Sequence, residues 1–125
     1  MTGRILIVDD DREMCEMLEE SLARRGFEIA WRTASDTAFD WLHDHDVDVV
    51  VADVNMKGMT GIELCQRIAA NRPDIPVIVL TAFGSMETAV AAMRAGAYDY
   101  ITKPLEIESL ILALERAIQH RTLRD

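Results

Sequence analysis

Cysteine is scarce in this chain. Two residues of 125, Cys15 and Cys65, stand fifty positions apart with no CxxC or Cys/His spacing around them. That excludes a zinc module and leaves both as small, buried apolar side chains. A domain of this length buries about two thirds of its unfolded surface and needs no disulfide. Basic residues are also few, 13 Lys and Arg against 22 Asp and Glu, for a net charge of −9. Such a balance is a poor match for nucleic-acid phosphates, so no direct nucleic-acid contact is expected. No apolar run approaches the ~18 residues of a membrane span. The apolar stretch at residues 5–8 is too short for a secretory signal. Free thiols and the lack of a signal make the cytoplasm the expected compartment. With 50% hydrophobic and 28% charged residues, the chain has the composition of one folded domain.

What is present is a single alternation repeated five times. Short apolar runs at residues 5–8, 27–31, 47–53, 75–81 and 98–102 read as strands. Between them lie amphipathic segments. The first, residues 11–25, carries Met14, Cys15, Leu18 and Leu22 at helical spacing and stops before Gly26. Ser35 is expected to cap a second helix bearing Ala38, Trp41 and Leu42. Thr60-Gly61-Ile62-Glu63 reads as a capping box for a third. Ser85 is expected to cap a fourth, whose Met86, Val90 and Met93 form a stripe expected in the core, with Gly96 at its end. The last begins at Glu106 and presents Ile107, Leu110, Ile111, Leu114 and Ile118.

Strict strand-helix alternation implies an α/β, doubly wound parallel sheet with helices on both faces. Runs one, three and four are the most continuously apolar, as strands covered on both faces are. Runs two and five are mixed and belong at the edges, consistent with five strands in the order 2-1-3-4-5. The two cysteines then fall on opposite faces. Ligands of such sheets sit outside the carboxyl ends of the strands, where the order reverses between strands one and three.

Chemistry collects at those ends. Strand one runs into Asp9, Asp10 and Asp11, strand three ends at Asp53, strand four at Thr81, and Lys103 follows strand five. Strands about 4.8 Å apart force the carboxylates together. Like charges at about 4 Å repel by roughly 4 kcal/mol at an effective dielectric near 20. A hard divalent cation relieves this, and a lysine adds a fixed positive charge. Together with a hydroxyl, that set suits phosphoryl chemistry. Asp11 is better read as the cap of the first helix.

The sequence resembles the receiver domains of bacterial two-component response regulators over essentially its whole length. The resemblance rests on I-L-I-V-D-D-D at 5–11, V-V-V-A-D-V-N-M at 49–56, V-L-T-A-F at 79–83 and G-A-Y-D-Y-I-T-K-P at 96–104. It implies a flavodoxin-like (CheY-like) fold and residues 1–121 as the receiver. Residues 122–125 would open a linker to an output domain. It implies Asp53 as phospho-acceptor and Thr81 and Lys103 as contacts to the phosphoryl oxygens. Mg²⁺ would be held by Asp10, Asp53 and the Asn55 carbonyl, with Asp9 acting through water. Tyr100 would turn inward on activation, and the Lys103–Pro104 bond would be cis. The implied partner is a sensor histidine kinase. The fourth-helix, fifth-strand and fifth-helix face would switch, with a phosphorylation-linked homodimer through it.

The ending of the chain and the wording of 81–84 and 95–104 resemble regulators of the NtrC class, which carry an ATPase and DNA-binding portion; a stand-alone receiver is the alternative. Lys57 stands where the family often has proline. Two other readings compete on the residues alone. A haloacid-dehalogenase-type phosphatase also uses an Asp, a Thr and a Lys, but places its second Asp where Asn55 stands. A flavin- or nucleotide-binding module would need a phosphate-cradling loop where Asp9-Asp10-Asp11 would repel the ligand. The His43-Asp44-His45-Asp46 run looks like a metal cluster but falls at the opposite end of the sheet. His120 and Tyr98 are read as surface and edge residues.

Overall fold

The computed structural model describes residues 2–82 and 85–124. Its elements follow one another as β1 (Arg4–Val8), α1 (Arg12–Ala23), β2 (Glu28–Arg32), α2 (Ser35–Leu42) and β3 (Val49–Asp53). Then come α3 (Gly61–Asn71), β4 (Val77–Thr81), α4 (Met86–Arg94), β5 (Asp99–Thr102) and α5 (Ile107–Arg124). The strands form one parallel sheet in the order β2-β1-β3-β4-β5. This is the predicted order. Phe83 and Gly84, which close the 79–83 motif and the 81–84 wording, lie outside the described residues.

Alternation along each central strand divides the core into two layers. Ile5, Ile7, Val49, Val51, Ile78 and Leu80 meet α1 and α5 through Leu18, Leu22, Leu110 and Leu114. Leu6, Val8, Val50, Ala52, Val77 and Val79 meet α2, α3 and α4 through Ala38, Leu42, Leu64, Ile68 and Ala92. Cys15 lies in the first layer and Cys65 in the second, both buried and reduced. Burial pushes each thiol up to about 11.

Strand starts are later than the apolar runs suggest. Pro76 has no N–H to give a ladder, so β4 opens at Val77, while the Pro76 carbonyl still accepts from Val50. Phe27 is buried, but its amide closes the end of α1 on Leu22 rather than joining β2. Gly26, with φ +94°, supplies the left-handed residue that ends that helix.

One predicted cap is corrected, and another keeps its place but not its side-chain bond. Ala34, not Ser35, is the N-cap of α2; Ser35 is already inside the helix, its hydroxyl buried and without a partner among the described residues. Ser85 is the N-cap of α4, but its hydroxyl bonds Thr88 Oγ1 at 2.5 Å rather than a backbone amide. Asp11 and Thr60 cap as predicted, accepting from Met14 N at 3.2 Å and Glu63 N at 3.2 Å. The α4 stripe is a second correction. Met86, Val90 and Met93 are exposed, because Ala89 and Ala92 take the inward positions.

Candidate functional site

Register builds the site. Val8 pairs with Ala52 and Asp53 with Leu80, so Asp9 and Asp53 leave neighbouring strands at one level. Thr81 pairs with Thr102, and the Lys103 amide donates to the Thr81 carbonyl at 2.8 Å, which sets the lysine just beyond the acids. Carboxylate oxygens of Asp9, Asp10 and Asp53 lie within 4.8 Å of one another. Lys103 Nζ donates to Asp53 Oδ2 at 3.1 Å and lies 3.9 Å from Asp9 Oδ2.

Asp9 and Asp53 are buried and Asp10 is exposed. The Asp9 carboxyl is shifted above the usual range, first by burial and further by Asp53, against the Asp11 amide and Lys103. Asp9 Oδ1 accepts from Asp11 N at 3.0 Å and Asp53 Oδ1 from Asn55 N at 3.4 Å. Asp9 Oδ2 is buried with no hydrogen-bond partner among the described residues, and so is Thr81 Oγ1. Three carboxylates against one ammonium leave an excess of negative charge in a partly buried hollow. An acceptor-only oxygen set of this kind fits a hard cation.

The hollow is shaped from below by the return of the β3–α3 loop. Gly61 N bonds the Val54 carbonyl at 3.3 Å. A Cβ on Gly61 would stand 2.1 Å from the Asp53 carbonyl oxygen, so only glycine fits. In the sequence Gly61 stands only as part of a capping box, and nothing local signals this contact. Asn55 and Lys57 are exposed on that loop.

Tyr100 lies apart from the acids. It pairs with Val79, which puts it on the α4 face of the sheet, the face Thr81 shares two residues further on. There, half-buried, it lines a groove of about 320 Å³ with Met86, Val90 and Met93. The Lys103–Pro104 bond is cis, as the resemblance implied.

The histidine-rich run holds no metal-ligand geometry. His43 and His45 bond the Phe39 and Trp41 carbonyls, and the His45 ring stacks on Trp41 at 4.2 Å. His120 is exposed and tilts against Tyr98 at 4.9 Å.

A family model, the response regulator receiver domain, matches residues 5–115. The chain belongs to the response regulator receiver family. The receiver is 40% identical over 116 residues to the transcriptional regulatory protein ZraR of Escherichia coli K12, covering 93% of this chain and 26% of that protein. It is 40% identical over 125 residues to the response regulator MprA of a Mycobacterium species, covering all of this chain and 54% of that one. In structure it is similar to NtrX of Brucella abortus, at 33% identity and a TM-score of 0.92, with 99% of this chain and 29% of that chain covered. The receiver thus spans about a quarter to a half of the length of these relatives. The family match removes the phosphatase and flavin-module readings.

Proposed function

We propose that this receiver is a phospho-accepting switch in which Asp53 takes a phosphoryl group from a phosphohistidine of a sensor kinase. The observation that carries this is the coincidence of two unpartnered buried oxygens, Asp9 Oδ2 and Thr81 Oγ1, with Asp53 and Lys103 at one sheet end. An Asp53 carboxylate oxygen forms the new P–O bond. The P–N bond to the donor imidazole breaks, and its electron pair stays with the leaving ring. Lys103, already on Asp53, moves its contact to a phosphoryl oxygen. Asp10, Asp53 and the Asn55 carbonyl would hold Mg²⁺, with Asp9 behind a bound water. A divalent cation there offsets charge on the transferring oxygens.

Among the described residues the Thr81 hydroxyl has no partner to leave, and a new phosphoryl oxygen would give it one. Drawing the end of β4 inward reshapes the face where Tyr100 packs against α4. That face, with β5 and α5, is the switching surface and the site of a phosphorylation-linked homodimer. Hydrolysis of the acyl phosphate in the same hollow resets the switch. The output is read as transcriptional, carried by further chain as in ZraR, and the compartment as cytoplasmic. Among the described residues no helix is long and apolar enough to cross a membrane. Incubation with acetyl phosphate, with and without Mg²⁺, tests the reading by intact mass. One phosphoryl adduct that needs the metal is expected; no adduct in either condition contradicts it.

A further inference from the structure

At the opposite end of the sheet from the acids, the last turns of α5 are held in an unusual way. The apolar stripe of α5 ends at Ile118, and beyond it Gln119, His120, Thr122 and Leu123 are exposed. Among the described side chains there, Arg121 alone turns inward, 11% exposed. Its Nη1 donates to the Val47 carbonyl at 2.8 Å and to Asp48 at 3.0 Å. Its Nη2 donates to Asp46 and Asp74, both at 2.9 Å. Each of these carboxylates has a second donor. Arg72 bonds the same Asp46 oxygen at 2.7 Å and both oxygens of Asp74 at 3.2 Å, and the Arg4 amide bonds Asp48 at 2.8 Å.

We infer that Arg121 is an ionic latch that fastens the end of α5 to the base of the domain and can open without stranding a buried charge. On release, Asp46 and Asp74 remain paired to Arg72 and Asp48 to the Arg4 amide, while the guanidinium enters water. The buried Arg121 Nε, without a partner among the described residues, is rehydrated at the same time. The His120 ring, exposed, adds one tilted contact to Tyr98 there. Screening by salt weakens the closed form and shifts the balance towards the open one. Any chain following residue 125 would leave along the α5 axis only while the latch is closed. This inference is independent of phosphorylation.

Amide hydrogen exchange of the 125-residue chain tests it. Arg121→Gln is expected to lower protection of residues 120–124 roughly tenfold or more, with β3 and β4 unchanged. Arg72→Gln, which leaves Arg121 its acceptors, is expected to lower it less than about threefold. On the native chain, raising NaCl from about 0.1 to about 1 M, which shortens the screening length from ~10 to ~3 Å, should reproduce the Arg121→Gln pattern. Native-like protection in Arg121→Gln, equal losses in both variants, or no response to salt in the native chain would each overturn the latch.

Discussion

Lys103 Nζ sits 3.1 Å from Asp53 Oδ2 and 3.9 Å from Asp9 Oδ2, which makes it the shared counter-charge of two buried carboxylates. Replacing it leaves both without a cation. Lys103→Met is expected to destabilise the metal-free protein by about 2 kcal/mol, below the usual figure for a buried pair because the lysine is a third exposed. Mg²⁺ should narrow the gap. Urea unfolding with and without the metal measures it, and a variant as stable as the native chain without metal would contradict the assignment.

The acid triad predicts a second effect. Magnesium that binds the folded hollow and not the unfolded chain must raise the melting temperature, by an amount growing with concentration above Kd. Asp10→Asn removes one of the three converging carboxylates and should reduce that rise several-fold. A rise of equal size in the variant would place the metal elsewhere.

Gly61 sets the height of Asp53. Alanine there must push its Cβ against the Asp53 carbonyl, at 2.1 Å before any relaxation. A loss of about 1–3 kcal/mol is expected from the forced backbone shift, together with slower phosphorylation. Calorimetry and labelling rates check it; unchanged values for both would show that the loop yields without cost.

The base of the sheet gives a pH prediction. Arg72 and then Arg121 hold the Asp74 carboxyl down at about 2, below its usual 3.8. A depressed carboxylate adds stability that is fully present above pH ~4 and disappears as pH falls towards 2. Asp74→Asn should therefore flatten the acid limb of the stability curve in that window and leave its shape near neutrality alone. The contribution is modest because Asp74 is about one third exposed, at 37%. An unchanged acid limb would contradict the pairing.

Much of this was legible in the residues. The β1, β3 and β4 runs betray burial on both faces, and that is enough to order the sheet and bring residues 9, 53, 81 and 103 to one end. The cap of α2 was not legible: Ser35 has the right chemistry, but packing draws its hydroxyl into the core and leaves the position to Ala34. Nor was the outward turn of Met86, Val90 and Met93. Hydropathy ranks methionine above alanine as a core residue, whereas the close approach of α4 to the sheet selects Ala89 and Ala92. The arginine latch was invisible because its partners are 47 to 75 residues away in the chain.

The proposed switch depends on Asp53 as the residue that accepts the phosphoryl group. Intact-mass analysis of the native chain and Asp53→Asn, each with acetyl phosphate and Mg²⁺, tests it most directly. One phosphoryl group is expected on the native chain, mapped to the peptide containing Asp53, and none on the variant. Stoichiometric labelling of Asp53→Asn would contradict it.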